Sequence, residues 1–363
     1  MSIAALSTTT IVLEATPALE VLTDAFEPGT VVRITIDSLS KASLYITIAA
    51  GLSLIFGLMG VLNFAHGSFT MYGAYIGGAV MVWAVTAQTG DLPRLVIFLG
   101  VAAFVLALMT AIGGLVEKKL IRPIYDRPPL FQILLTFGIV LVMDEAMRII
   151  VEARGLTPRT RWDVAVGTRP SIFGDTYTVL GASFRGLYLF EILVGVLVVV
   201  GTYLFLTQTR YGLYIRAGSE DGEMAQALGI DIRKAFTLVF GVGTGLAAFA
   251  GVILMWDHRF GASVPLTIEA LLIAFIIVII GGLGSFKGTV VAGVLVGFID
   301  GFMTWLFQAH TAVEFALLSS VLPGTWALPV SAQLPEATMF IALVAVLIMK
   351  PQGLFGVAEV GGH

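Results

Sequence analysis

The sequence predicts an all-α, polytopic integral membrane protein with about eight or nine transmembrane helices, including a broken or re-entrant segment. Three observations carry that reading. Of 363 residues, 58% are hydrophobic and only 12% are charged, against roughly 25% charged in a soluble domain. Mean hydropathy is +0.97. Uncharged runs follow one another at 42–65, 67–90, 95–116, 128–143, 192–209, 235–256, 270–286, 288–299 and 337–349, and about 20 helical residues cross a hydrocarbon core. A barrel is the other fold that satisfies backbone groups in lipid, and its strands alternate apolar and polar residues. Leu95–Val116 and Ala235–Trp256 do not alternate. The 41 glycines suit helices that pack closely through small residues.

Taken in order, residues 1–37 hold no basic residue before Arg33 but five acids, Glu14, Glu20, Asp24, Glu27 and Asp37. They lack a signal peptide's basic n-region and read as a poorly ordered or surface-lying extension. The transmembrane body is expected over 38–356, with 357–363 as a tail. Within it, 153–185 is polar and cut by Pro and Gly, which predicts an external loop with a short hairpin. Runs 270–286 and 288–299 are parted only by Lys287, amid Gly281, Gly282, Gly284 and Gly288. They are either two spans with a tight turn or one span and a re-entrant piece. Residues 309–335, broken by Pro323, Pro329 and Pro335, form a second outside connection. Basic residues divide equally by number between the two sides. Their density at Lys118, Lys119, Arg122 and Arg127 places that loop, and with it 210–234, in the cytoplasm.

Several chemistries are excluded. None of the four His lies in H-E-x-x-H, and no G-x-S-x-G occurs. GGLGSFKGT at Gly281–Thr289 has Phe286 before Lys287, where a phosphate loop needs Gly so that the backbone wraps the phosphate. Without Cys there is no disulfide or thiolate site. A net charge of −4 is too small to imply a nucleic-acid partner. No catalytic residue, metal or cofactor is expected.

Two segments carry positive signals. In Gly57–Tyr75, Asn63, His66 and Gly67 interrupt an apolar stretch. Polar side chains inside a membrane are costly and usually face a cavity or a partner helix. Gly57, Gly60 and Gly67 would let the helix break and leave its ends free to meet a ligand. The alternative is a structural turn, with Asn63 capping the next helix and His66 bonded to a carbonyl. In Arg210–Lys234, Ser219 suits an N-cap, Glu220 and Asp221 suit a first turn, and Gly229 suits a helix stop. The prediction is a two-turn surface helix whose small apolar face (Met224, Ala225, Leu228) needs something to rest on; the alternative is an ordinary interfacial helix. Asp144 and Arg148 are spaced to pair, Asp300 interrupts the eighth run, and Glu191 is expected at an interface.

These segments coincide with a family. Asn63–Tyr75 resembles the N-F-A-H-G segment of LivH-type permeases of branched-chain amino acid ABC importers. Arg216, Glu223, Ala225 and Gly229 resemble a divergent E-A-A-x-x-x-G coupling loop, with Met224 replacing the first Ala. Ile279–Ile299 resembles the family's G-G-x-G-S-x-x-G segment, and Val346–Gly356 its L-x-x-x-P-x-G-L-F-G tail. The resemblance implies a multi-pass subunit of the cytoplasmic membrane. It would work with a second related permease, two cytoplasmic ATPase subunits and an extracytoplasmic solute-binding protein, moving branched-chain or related amino acids by alternating access. Arg216, Glu223, Ala225 and Gly229 would couple to the ATPase. Asn63, Phe64, His66, Gly67, Met71 and Tyr72 are the candidate substrate pathway. Urea or amide import is the alternative within the family. A stand-alone secondary transporter or channel, which would need buried acids such as Asp300 or Asp144, is the alternative outside it.

Overall fold

The computed structural model describes residues 23–125, 127–156, 159–160, 169–220, 222–309 and 334–356. Nine of the described helices have 16 residues or more: α1 (Pro28–Met59), α2 (His66–Ala84), α3 (Asp91–Val116), α4 (Pro129–Ala153), α6 (Gly186–Gln208), α9 (Ile232–Leu254), α10 (Leu266–Gly281), α11 (Phe286–Ala309) and α12 (Leu334–Met349). Between them lie the short helices α5 (Ser171–Gly174), α7 (Arg210–Glu220) and α8 (Gly222–Ala227). Strands are minor: β1 (Arg159–Thr160) pairs with β4 (Ala262–Ser263), and β2 (Thr176–Val179) forms a hairpin with β3 (Ala182–Arg185). The hairpin turns on Leu180 (φ 51°) and Gly181 (φ 83°), two successive left-handed residues that match the twist of the strands. Among the described residues, five helices are long and apolar enough to cross a membrane, and two more apolar helices are shorter.

The molecule is built around α1. Pro28 suits the first helical turn, where no N–H partner is needed. Gly60, at φ 63°, stops the helix while its N–H donates to the Phe56 carbonyl at 2.9 Å. Nearly every residue from Ser38 to Ile55 is buried, against α6, α9, α10 and α11. By contrast α3, α4 and α6 carry large exposed apolar side chains such as Phe104, Phe137, Leu141 and Leu197, which suits a lipid-facing rim.

Two expectations change. Helix α1 begins at Pro28, so the extension read over 1–37 is helical in its last ten positions; Pro at the first turn and the absence of any later breaker account for the early start. Residues 1–22, like 310–333 of the second outside connection and the 357–363 tail, lie outside the described residues. The glycine-rich stretch after α10 resolves as a tight turn between two helices, with Gly282 at φ 98° and Gly284 at φ 82°.

At one end of α1, buried charges tie four segments together. Arg259, in the loop after α9, donates to Asp257 (2.7 Å), Asp37 (2.9 Å), Ser40 and Glu191 (both 2.8 Å). Its guanidinium lies 4.5 Å from the Tyr188 ring centroid. One turn along α1, Lys41 meets Asp300 of α11 at 3.1 Å and donates to Thr304 at 2.6 Å, while Tyr45 donates to Asp300 at 2.6 Å. Glu191, read as interfacial from sequence, is buried instead, and so is Lys41, because each has its counter-charge inside the protein. Burial opposes ionisation of Asp257, but Arg259 overrides it and holds this carboxyl below the ordinary range. Replacing Arg259 with Leu would leave Asp37, Glu191 and Asp257 without their shared cation. Breaking a buried pair costs about 3–5 kcal/mol, so Arg259→Leu should lower the melting midpoint of the detergent-solubilised protein sharply; an unchanged midpoint would refute this account of the cluster.

Candidate functional site

After α1 ends, the six residues Gly60–Ala65 carry the chain back along α1. The Nε2–H of His66 donates to the Ile48 carbonyl at 2.8 Å, and Ile48 lies eleven positions before Met59, or about 16 Å along the helix axis. So α2 begins part-way along α1, inside the protein. Asn63 prepares that start: its Oδ1 accepts from the Ala65 N–H at 3.1 Å. Helix α10 starts at the same place. A Cβ on Gly67 would lie 1.8 Å from the Thr267 carbonyl oxygen, so the first turns of α2 and α10 touch backbone to backbone.

The glycines expected to let the chain break have separate roles. Gly60 makes the break. Gly57 is helical and packs against Gly284, and Gly67 is helical and takes the Thr267 carbonyl.

The pathway candidates divide by burial. Asn63, His66, Gly67 and Met71 are buried, whereas Phe64 and Tyr72 are half-buried. Phe64 meets Phe275 of α10 edge to face, with centroids 5.2 Å apart, and the Tyr72 hydroxyl donates to the Met143 carbonyl of α4 at 3.0 Å. Beside Met143, the half-buried Asp144 accepts from Ser68 (3.1 Å) and Thr267 (2.8 Å). The pairing of Asp144 with Arg148 expected from sequence gives way to these hydroxyls, and Arg148 lies 3.6 Å from Glu145. Sequence reasoning missed Ser68 and Thr267, since only the fold brings two first turns to one carboxylate.

The segment 210–234 also differs from expectation. Helix α7 already runs through Ser219, so this position lies inside a helix rather than at its start, and Asp221 lies outside the described residues. Glu223 belongs to α8, with its side chain outside the described set, and Arg216 is exposed on α7. Gly229, at φ 84°, closes α8: the Ile230 N–H reaches the Ala225 carbonyl (3.0 Å) and the Gly229 N–H that of Gln226 (2.9 Å), the paired bonds of a Schellman stop. Ala225 is 3% exposed, so it faces this protein's own interior, while Met224 (57%) and Leu228 (76%) form the open apolar face.

Near this segment, a second buried acid joins α3 to α9. A π-turn at Glu117–Ile121 brings Arg122 back onto Glu117 (2.8 Å), which also accepts from Tyr125 (2.6 Å) and Thr237 (2.7 Å). From sequence this stretch shows only its charge density, because a five-residue spacing does not face itself on an α-helix.

Helices that restart inside an apolar bundle around polar groups, beneath a lipid-facing rim, define a multi-pass membrane protein, and its relatives make it a transport permease of the cytoplasmic membrane. The chain belongs to the family of branched-chain amino acid transport system permease components, whose model matches residues 34–349. It is 27% identical over 332 residues to the high-affinity branched-chain amino acid transport system permease protein LivH of Escherichia coli (strain K12), covering 89% of this chain and 95% of that one. It is 27% identical over 293 residues to BraD of Pseudomonas aeruginosa, a permease protein described in the same words, covering 79% and 91%. A probable LivH of Methanocaldococcus jannaschii is 24% identical over 319 residues, covering 87% and 90%. No solved structure matches.

Buried and bonded to Ile48, His66 sets where α2 begins. Losing a buried hydrogen bond of this kind costs about 1–3 kcal/mol. His66→Ala should therefore lower yield and melting midpoint while the flux per folded molecule is retained; a normally stable variant with lost flux would return His66 to the pathway.

Proposed function

We propose that this chain is one permease of an ABC importer that carries branched-chain or related amino acids into the cytoplasm. It would pair with a second, related permease and be powered by two cytoplasmic ATPase subunits and fed by an extracytoplasmic solute-binding protein. The observation that carries the reading is α8. It is six residues long, far below the roughly 12–15 that hold a helix in water, yet it presents Met224 and Leu228 outward and is sealed at Gly229. An ATPase groove would cover that face. Family membership supports the same assignment, and so does the basic density of the adjoining Lys118–Arg127 loop.

Force applied at α8 has a short route inward. Helix α7 leads back to α6 and α8 leads on to α9, and α9 packs along α1, α2 and α3. Motion of α9 would therefore shift the paired starts of α2 and α10, and the half-buried side chains Phe64, Tyr72 and Phe275 would line the moving path. Ala225 enters the proposal as the residue that seats α8 on its own protein, rather than as an ATPase contact. The secondary-transporter reading needs buried acids such as Asp300 or Asp144. Asp300 is held by Lys41, and among the described residues Asp144 stands alone with the hydroxyls of Ser68 and Thr267 rather than in a cage of acids.

Two experiments test the assembly. Met224→Glu combined with Leu228→Glu should release the ATPase from purified complexes or abolish substrate-stimulated hydrolysis, and a fully coupled double variant would sink the docking assignment. Lys119→Cys, in a chain without Cys, should react with a membrane-impermeant reagent only after cells are opened; labelling in intact cells would invert the topology.

A further inference from the structure

We propose that Asp144 is the acceptor for the ammonium group of the amino acid as it passes between α2, α4 and α10. The inference rests on the reading above that the cargo is an amino acid, and it assigns one end of that cargo to one side chain.

Asp144 lies in the apolar helix α4, and an ionised carboxylate in such a place is costly unless it serves or is paired. Neither of its hydrogen bonds neutralises it. Ser68 and Thr267 both donate to the same oxygen, Oδ1, and Oδ2 has no donor among the described residues. Arg148, on the next turn, is felt by Asp144 only through its field; it makes its ion pair with Glu145 at 3.6 Å, with both side chains more than half exposed. The carboxylate is thus oriented by two hydroxyls from two different helix starts, is left with an acceptor oxygen to spare, and is only half-buried. A tether alone would need no charge, because an uncharged amide oxygen accepts the same two hydroxyls.

The surroundings fit an ammonium group carried on an apolar body. Tyr72 reaches across to the Met143 carbonyl next to Asp144, and Phe64 sits one turn before Ser68 in the chain. Phe275 lies eight residues beyond Thr267, or about 12 Å along α10, and closes on Phe64. An ammonium group offers three donors and no acceptor; one donor can meet Oδ2, while a branched aliphatic chain rests on the Tyr72 ring beside it, with the Phe64–Phe275 pair further along the same path.

The test uses the complete importer in liposomes with L-leucine. Asp144→Asn keeps an acceptor for Ser68 and Thr267 but removes the charge. It should assemble normally and take up L-leucine at least tenfold more slowly. Asp144→Cys should be equally impaired, and a thiosulfonate reagent that adds a carboxylate should restore uptake where one that adds an ammonium group does not. Uptake by Asp144→Asn within twofold of wild type overturns the assignment, and so does failure of that variant to assemble, which would make the charge structural. Rescue of Asp144→Cys by either reagent alike would also overturn it. If the wild-type complex itself takes up no L-leucine, the cargo reading has failed, an outcome distinct from any of these.

Discussion

One backbone contact organises the interior: the first turn of α2 against the first turn of α10, where Gly67 has no side chain and the Thr267 carbonyl fills the space a Cβ would need. Because the approach is backbone to backbone, no side-chain rearrangement can relieve a larger residue there. The same economy recurs along α9, where Gly251 takes the Thr70 carbonyl and Gly243 faces Gly51. Lipid offers little hydrophobic drive for helix association, so close contact of this kind supplies dispersion that bulkier residues would forfeit. With α1, α2, α9 and α10 locked at such distances, small displacements pass between them with little slack.

Much of this was legible in the sequence, and the limits are physical. Hydropathy marks spans because it depends on composition over many residues, and it located all nine long helices, but the uncharged runs stop short where buried or half-buried charges lie inside a helix, as at Lys41, Asp144, Glu191 and Asp300. The Asn63–Gly67 interruption showed where a helix stops. It did not show that the chain then doubles back to Ile48, since a return path depends on what it packs against. Gly229 could be read as a helix stop because its left-handed conformation is a local property. The inward orientation of Ala225 could not, because it depends on α8 lying against its own protein. Asp144 was misassigned for the same reason: Arg148 is near in sequence, whereas Ser68 and Thr267 are 76 and 123 residues away.

The two buried charge groups differ in what they join. At one end Arg259 and Lys41 bind four acids from α1, α6, α11 and the loop after α9. At the other, Glu117 binds the end of α3 to α9 through Arg122 and Thr237. Paired buried charges are poor sources of net stability, but they penalise any arrangement that separates the partners. Both ends of the bundle are thus selective about how their helices meet, while between them the close glycine contacts set the spacing.

Helix α1 has 32 residues, about 48 Å by its rise, while the hydrocarbon layer is about 30 Å thick. Its uncharged part, 42–59, is about 27 Å long, so the charged first part of α1 extends past the hydrocarbon, and only the uncharged part can sense bilayer thickness. Here most of its apolar length is covered by protein, whereas the corresponding windows of α3 and α6 are mostly open. Bilayer thickness therefore acts on the perimeter and has little purchase on the axis. A thinner or thicker membrane would tip α3 and α6 while α1 kept its angle, so lipid composition can bias this protein only through the helices that bear on α9 and α1 from outside.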